Sequence, residues 1–234
     1  MSHTVIDRLK TLTTPHLADG CLRASTPIRV APTGLRPLLP TMQCAGRARP
    51  VRHVGSIDVF FEILEDVRPG EILVIDNGGR LDEACIGDIV ALEARAADVA
   101  GLVIWGLHRD NKELSDIDFP IFSLGALPTG PQRLHARPED VFSTAAVGQH
   151  VITSRDFVVA DSNGVLFVAE DRLEAVIAAA ITCRETETRQ LKAMKSGQSF
   201  RDQVRFSDYL TRRADDSTYG FRQHLKSLEA AGEA

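Results

Sequence analysis

The turn after the apolar run Gly101–Trp105 contains residues whose types and spacing suit chemistry. The run predicts a buried strand, and Arg109 and Asp110 follow it closely. Gly87 and Asp88 begin a predicted helix one element earlier. Ligands of open α/β sheets bind at the carboxyl ends of the strands. If the helix and the strand pack side by side, both pairs of residues face one crevice.

Each of these groups has a chemical use. Free backbone N–H groups of residues 87–90, aided by the helix dipole, would bind an anion. Arg109 would add a forked cation suited to a carboxylate, and Asp110 and Asp88 would supply oxygen to a hard cation such as Mg²⁺. A small keto acid fits such a site. The same residues also fit a solvated turn or a structural ion pair, and Asp88 also fits a helix cap.

The sequence lacks the common signatures of other enzyme classes. No GxGxxG follows a strand, and no Walker loop, HExxH or GxSxG is present. The seven histidines show no metal-ligand spacing, which argues against zinc. A net charge of −5 gives no overall basic field, so binding to nucleic acid is not expected.

Composition sets the class of protein. With 44% hydrophobic and 25% charged residues in 234, the chain can bury a sizeable core, and general disorder is excluded. No apolar run reaches the length of a membrane span, and the first residues do not have the pattern of a secretory signal. The four cysteines form no CxxC pair and are expected to be buried thiols. We therefore expect a cytoplasmic protein.

Alternating strands and helices predict an α/β layer with an at least partly parallel sheet. An Asn-Gly pair at positions 163 and 164 predicts a hairpin, and the prolines within 25–50 predict extended chain and loops. The strands are expected at 47–54, 71–76, 101–105, 119–124, 147–153, 156–161 and 165–169. The helices are expected at 5–12, 16–22, 57–64, 87–97 and 170–194.

The spacing of the site residues resembles that of the RraA-like family. Members include 4-hydroxy-4-methyl-2-oxoglutarate aldolases, oxaloacetate decarboxylases and proteins named as regulators of ribonuclease E. The family pattern is a Gly-acid pair, twenty residues, then Arg-Asp and an acid three positions beyond Asp; here these are Gly87-Asp88, Arg109-Asp110 and Glu113. The resemblance covers roughly residues 14–182 and includes further matching segments at 46–48, 69–76, 100–103 and 161–165.

The resemblance implies roles for these residues. Arg109 and Asp88 would be catalytic, and Asp110 would hold a divalent cation, Mg²⁺ or Mn²⁺, which Asp88 touches through water. An acidic residue of a neighbouring subunit would complete the metal shell. Trp105 and His108 could narrow or redirect the pocket. The pyruvyl part of the substrate would be bound by Arg109 and the backbone at Gly87, Asp88, Ile89 and Val90.

The implied activity is that of a metal-dependent carbon–carbon lyase that releases pyruvate. Aldol cleavage and oxaloacetate decarboxylation pass through the same enolate, so one site can perform both. A Schiff-base route is less suitable because the nearest lysine, Lys112, lies just past Asp110 in the turn. The alternative is a non-catalytic regulator that binds a ribonuclease.

The resemblance also implies a swivelling β/β/α domain, expected over residues 1–185, and a homotrimer or hexamer. The remaining residues, 186–234, are polar and charged with aromatic residues spread through them. They predict a helical C-terminal extension that packs on a neighbouring subunit.

Several other polar side chains near these elements have structural interpretations. Asp76 either caps the Asn-Gly-Gly turn or lines the pocket, and Asp161 fixes the hairpin. Asp19 either orders the second helix or approaches the site. His108 is expected at the surface, and Glu113 could pair with Arg109 and fix its direction. Phe60 and Phe61 are expected in the core.

Overall fold

The computed structural model describes residues 4–232 of the chain, with side chains as far as residue 228. Residues 1–3 of the predicted domain 1–185 and residues 233–234 of the predicted extension 186–234 lie outside the described residues. The chain divides into two compact units, the first ending at Ile181 and the second beginning at Thr182.

The first unit contains the strands and the first five helices. The strands are β1 Arg29–Val30, β2 Arg36–Pro37, β3 Cys44–Arg52, β4 Ile72–Asp76, β5 Ala84–Ile86, β6 Gly101–Trp105, β7 Leu107–His108, β8 Ile121–Ser123, β9 Thr144–Val147, β10 His150–Thr153, β11 Asp156–Asp161 and β12 Gly164–Ala169. The helices are α1 Val5–Leu9, α2 Thr14–Arg23, α3 Asp58–Leu64, α4 Asp88–Ala96 and α5 Asn111–Ile117. Helix α6, Leu173–Lys195, begins in this unit and ends in the second.

One eight-stranded sheet organises the first unit, in the order β1-β12-β11-β3-β4-β6-β8-β2. Its centre, β3-β4-β6-β8, is parallel, and the pairs toward both edges are antiparallel. The central strands are buried apolar runs, as parallel strands covered on both faces must be. The predicted α/β class with a partly parallel sheet and a swivelling β/β/α architecture is confirmed.

Alternation along the strands divides the core. In β4, Leu73 and Ile75 pack in one cluster with α3, α4 and α5, whereas Ile72 and Val74 pack in another with β9 to β12. Successive strand residues point to opposite faces, which produces this division. A third cluster joins α1, α2 and the start of α6 to β11 and β12. Helices α3, α4 and α5 therefore cover one face of the sheet.

Some predictions from the sequence were wrong. The strand expected at 147–153 is a hairpin, β9 and β10, because Gly148 turns the chain with a positive φ of 59°. Phe60 is fully buried but Phe61 is 40% exposed, because neighbouring helix residues point about 100° apart and cannot both face the core. The pairing of β5 with β7 and helix α5 were not predicted.

The second unit is helical, as expected for the C-terminal region. It contains the end of α6 and helices α7 Phe200–Gln203, α8 Phe206–Asp215 and α9 Phe221–Gly232. Its small core is an aromatic cluster with ring centroids 5.1–6.2 Å apart, formed by Phe206, Tyr209, Tyr219, Phe221 and His224. None of the helices within residues 4–232 combines the length and apolar character that a membrane span requires.

Candidate functional site

The short parallel pair β5–β7 brings the two predicted site segments together. Ala84 lies opposite Leu107 and Ile86 opposite His108, and the Arg109 backbone N–H donates to the Ile86 carbonyl at 2.9 Å. Because one chain segment enters α4 at Gly87 and the other enters α5 at Asp110, both turns emerge at the same point.

Asp110 faces the start of α4. Its backbone is left-handed, with φ 62° and ψ 43°, a conformation that Asp adopts more readily than most residues. Its carboxylate Oδ2 lies 3.4 Å from the Asp88 backbone nitrogen and 3.3 Å from Arg109 Nε. The carboxylate is a third exposed. Both contacts are long, so oxygen lone pairs remain for another partner.

Gly87 makes this approach possible. A Cβ at this position would lie 2.3 Å from Asp110 Oδ2 and 3.2 Å from Arg109 Nε. The first distance is shorter than a Cβ contact allows, so any side chain at position 87 would displace the Asp110 carboxylate from the start of α4. Gly87 also leaves the start of α4 without a side-chain cap.

A cavity of about 120 Å³ lies beside these groups, a volume equal to about four water molecules in the liquid. This space suits a three-carbon oxo acid. Its walls are formed by His53, Ile57, Ala84, Cys85, Ile86, Gly87, Asp88, Ile89, Val90, Arg109 and Pro131. All the predicted substrate-binding residues therefore line one cavity. Asp110 is not a lining residue, but its carboxylate lies next to Gly87, which is.

The carboxylates suit a hard cation. Asp110 keeps free oxygen capacity, while Asp88 lies in the first turn of α4 with its Oδ1 accepting the Ile89 N–H at 2.7 Å. Within the part of the chain that the structure describes, no three His, Cys, Asp or Glu side chains form a metal cluster. Mg²⁺ commonly binds through one or two carboxylates and keeps several waters, so this donor set fits such an ion.

Two of the other predicted acids have structural roles. Asp76 accepts the Gly78 N–H at 2.8 Å and the Ala146 N–H at 2.9 Å, so it caps the turn and fastens β9. Asp161 accepts the Asn163 N–H at 2.8 Å, which confirms that it fixes the hairpin.

Glu113 and Asp19 lie on α5 and α2 with no part in the cavity wall. In the described residues, no ion pair joins Glu113 to Arg109.

His108 is buried, whereas the sequence predicted a surface position. Its Nδ1 pairs with Ser123 Oγ at 2.7 Å and its Nε2 with Asn111 Oδ1, so the ring connects β7, β8 and α5. Burial lowers the pKa of His108, although the Asn111 bond and the Asp110 charge partly oppose it. Trp105 packs on Gly79. Neither Trp105 nor His108 is among the residues that line the cavity.

A buried polar network behind the cavity was missed by the sequence analysis. His53 Nδ1 lies 2.8 Å from Asn77 Oδ1, which also accepts from Arg133 Nη2 at 2.8 Å. Arg133 in turn donates to Glu83 at 2.8 and 3.0 Å. The four residues come from separate segments of the chain. The available signal was a histidine near the end of the strand predicted at 47–54, and nothing in the spacing indicated its partners.

Comparison with known proteins gives one family. A family model described as "RraA-like: Aldolase/RraA" matches residues 14–167. A protein of Cupriavidus taiwanensis named "Putative 4-hydroxy-4-methyl-2-oxoglutarate aldolase" is 32% identical over 68% of this chain and 90% of its own length. Protein DlpA of Legionella pneumophila is 31% identical over 57% of this chain, which spans only 22% of that protein.

Two solved structures are similar in fold. An uncharacterized protein from Pseudomonas syringae pv. tomato is 27% identical with a TM-score of 0.73, covering 85% of this chain and 96% of that one. RraAS2 of Streptomyces coelicolor, described as an unusual member of the RNase ES inhibitor RraA protein family, is 21% identical with a TM-score of 0.68, covering 82% and 97%. The second likeness carries information about the fold alone.

Proposed function

The chain belongs to the RraA-like family, and from that premise we propose that it is a divalent-metal-dependent carbon–carbon lyase that releases pyruvate from a 2-oxo acid. The proposed reactions are aldol cleavage of substrates of the 4-hydroxy-4-methyl-2-oxoglutarate type and decarboxylation of oxaloacetate. Relatives named as putative aldolases support the first of these.

The proposal depends on one observation: Arg109 and the start of α4 line a single small cavity, and the Asp110 carboxylate contacts both of them. Arg109 Nε lies 3.3 Å from Asp110 Oδ2, and the same oxygen lies 3.4 Å from the Asp88 nitrogen. A structural ion pair alone would not require a cavity of about 120 Å³ lined by Arg109 and the first residues of α4.

Each residue has a role in this proposal. Arg109 binds the substrate carboxylate and stabilises the negative charge that develops on the oxo group as the carbon–carbon bond breaks. The backbone of Gly87, Asp88, Ile89 and Val90 orients the pyruvyl part, aided by the positive end of the α4 dipole. Asp110 would hold the cation, and Asp88 would bind it through a water molecule. A bound Mg²⁺ or Mn²⁺ supplies Lewis-acid catalysis, an effect worth several kcal/mol.

An imine route has less support. Lys112 is 80% exposed and its Nζ pairs with Asp116 at 2.6 Å on the outside of α5. No lysine is among the residues that line the cavity. A Schiff-base lysine needs a desolvated, deprotonated amine, which this environment does not provide.

We also propose that the chain acts as a homo-oligomer, a trimer or a hexamer, in which a neighbour's carboxylate completes the metal shell. The support is chemical: Asp110 and Asp88 leave most positions around a divalent cation to water, and a neighbour's carboxylate would take one of them, since the residues described in one chain supply no third side-chain ligand. Sedimentation of the purified protein tests the oligomeric state.

Regulation of a ribonuclease, the alternative from the sequence, stays a prediction. Ribonuclease inhibition is ascribed to the family of the Streptomyces protein, and the likeness of this chain to that protein carries only the fold. A regulator would not need a carboxylate-binding cavity. An assay of ribonuclease inhibition distinguishes the two functions.

The direct test incubates the protein with oxaloacetate or 4-hydroxy-4-methyl-2-oxoglutarate, with Mg²⁺ and then with EDTA, and measures pyruvate. We expect release that needs the metal and falls by about 10²–10³-fold in Arg109→Ala. Arg172→Ala, a change at another exposed arginine, is the control and should behave as the wild type. No release, or release indifferent to EDTA and to Arg109→Ala, contradicts the proposal.

A further inference from the structure

His53 stands at the inner wall of the cavity that contains Arg109 and the start of α4. It follows β3 directly and is 6% exposed. Its backbone N–H donates to the Asp76 carbonyl at 2.9 Å, and its ring stacks on Phe60 with centroids 5.3 Å apart and planes within 10°. Both contacts fix the position of the imidazole, as a group that must meet a substrate requires.

The buried network determines which ring nitrogen carries the proton. A guanidinium can only donate, so the Asn77 atom that faces Arg133 Nη2 at 2.8 Å is the amide oxygen. The same oxygen lies 2.8 Å from His53 Nδ1, so Nδ1 must donate to it. Turning the Asn77 amide over would set its NH₂ against the guanidinium. The neutral His53 therefore has its lone pair on Nε2.

One nitrogen of the His53 ring is already bonded and the other is left over. His53 lines the cavity, whereas Asn77 and Arg133 do not. Because Nδ1 is bonded to Asn77, Nε2 is the ring nitrogen that remains for a group bound in the cavity. Nε2 makes no hydrogen bond with the residues that the structure describes.

The surroundings keep the ring neutral. Burial is the largest effect and lowers the pKa of His53, and the charge of Arg133 lowers it further. The Asn77 bond and the charges of Glu83 and Asp58 raise it by less, and Asp88 and Arg109 line the same cavity. The pKa lies below its ordinary value, so at pH 7 His53 is an unprotonated base.

The other titratable groups of the cavity are less suitable as bases. Burial raises the pKa of the Cys85 thiol far above neutrality, and its Sγ points to the Leu107 carbonyl. Asp88 Oδ1 already accepts the Ile89 N–H. Arg109 is a permanent cation.

We propose that His53 is the base that removes the substrate hydroxyl proton during aldol cleavage, an inference that rests on the proposed lyase function. The hydroxyl proton passes to Nε2, the hydroxyl carbon becomes a carbonyl, and the carbon–carbon electron pair moves to the pyruvyl part as its enolate. The enolate carbon takes a proton from water, and His53 returns its proton to solvent, so no net proton is used. Asn77, Arg133 and Glu83 are positioning residues that set the tautomer.

The two proposed reactions separate this role from a structural one. Oxaloacetate decarboxylation has no hydroxyl proton to remove, but it uses the same binding groups. In His53→Gln, which retains a polar side chain of similar reach, we expect kcat for aldol cleavage to fall by about 10²-fold or more, the usual contribution of a general base. Decarboxylation should fall by much less, so the ratio of the two activities changes. Arg109→Ala is the comparison, because it should lower both activities by about 10²–10³-fold.

Three results would overturn the role of His53. Equal loss of both activities in His53→Gln indicates a structural residue, and loss of neither shows that another group takes the proton. If the wild type cleaves no aldol substrate, the role of His53 is wrong. Decarboxylation of oxaloacetate by the same protein would then show that the proposed lyase function still holds, and its absence would show that this function fails too. Circular dichroism and the melting temperature show that the variant is folded.

The pH profile of Asn77→Asp tests the role of His53 as a base, because a residue that only packs would not shift this profile. A carboxylate in place of the amide would stabilise the protonated ring and raise the pKa of His53. The acidic limb of the pH profile for aldol cleavage should move to higher pH, with the limb for decarboxylation unmoved. An unchanged aldol profile contradicts the proposal.

Nitrogen-15 NMR of the His53 ring tests the geometry without an activity assay. We expect the tautomer protonated at Nδ1, and a shift of the Nε2 resonance when oxalate and Mg²⁺ are added. A proton on Nε2, or no response to oxalate, overturns the assignment.

Discussion

Asp110 and Asp161 are two carboxylates that accept backbone N–H groups at the start of a helix. Asp161 takes the Thr14 N–H and hydroxyl at 2.8 Å each and the Asn163 N–H at 2.8 Å, so both of its oxygens are occupied. Asp110 takes one long bond from Asp88 at 3.4 Å and one long contact with Arg109 at 3.3 Å. An acid whose oxygens the protein satisfies holds the fold, whereas an acid with unused lone pairs is available to a ligand.

The largest expected effect is from Asp110→Asn. The amide keeps the shape but loses the charge that holds a cation. Even groups that only orient metal ligands are worth about 10–100-fold, so activity should fall by at least about 100-fold. The melting temperature should hardly change, since the bonds that Asp110 makes are long. Pyruvate release measures the loss of activity, and thermal unfolding measures the change in stability. A large loss of stability would show that Asp110 holds the fold, as Asp161 does.

Gly87→Ala should disturb the same carboxylate from the other side. The new Cβ would lie 2.3 Å from Asp110 Oδ2, so the carboxylate and the Arg109 side chain must move. We expect a loss of about 100-fold in activity from misplaced groups and little change in the free energy of unfolding, because the displaced atoms belong to two partly exposed side chains. Gly220→Ala, where nothing lies within 4 Å of the added Cβ, is the matched control. Activity equal to the control would show that the close approach is not needed.

Asp161→Asn should have the opposite signature from Asp110→Asn. Loss of the charged bonds at the start of α2 should cost about 1–2 kcal/mol in the free energy of unfolding at pH 7, with activity unchanged. Burial alone would raise the pKa of Asp161, but the bonds from Thr14 and Asn163 outweigh it and lower the pKa. The unfolded carboxyl titrates near pH 3.8.

The pH dependence of that difference follows from the lowered pKa. The stability that Asp161 contributes is present above the unfolded pKa and is lost as pH falls through the folded one. Urea unfolding of wild type and variant should therefore differ most at neutral pH and converge below about pH 4. A difference that grows on acidification would contradict this assignment.

The smallest effect is expected from Glu113→Gln. Glu113 is exposed on α5 and makes no ion pair with Arg109 in the described part of the chain. The sequence suggested that it could orient the guanidinium. We expect kcat/KM to stay near the wild-type value, and a loss comparable to that of Gly87→Ala would restore the predicted role.

Local patterns were enough to predict much of the fold and the grouping of the site residues. The apolar runs β4 and β6 and the alanine-rich α4 have strong periodicity, and the predicted Arg109 and Gly87 segments do share a cavity. The strands β5 and β7 contain three and two residues and form by pairing Ala84 with Leu107 and Ile86 with His108, 23 and 22 positions away, so periodicity cannot detect them.

The network behind the cavity was unpredictable for a similar reason. His53, Asn77, Glu83 and Arg133 lie up to 80 positions apart, and only the tertiary fold joins them. His108 was expected at the surface because a polar residue after a strand normally is, yet Ser123 and Asn111 satisfy its ring in the interior. Burial of a polar residue depends on partners that the local sequence does not reveal.

A crystal structure with Mg²⁺ and oxalate, a mimic of the pyruvate enolate, tests the central claim most directly. We predict oxalate between the Arg109 guanidinium and the first turn of α4, with the cation on the Asp110 carboxylate. Oxalate bound elsewhere, or Arg109 and Asp110 turned apart into solvent with both ligands absent, would contradict the assignment of this cavity as a lyase site.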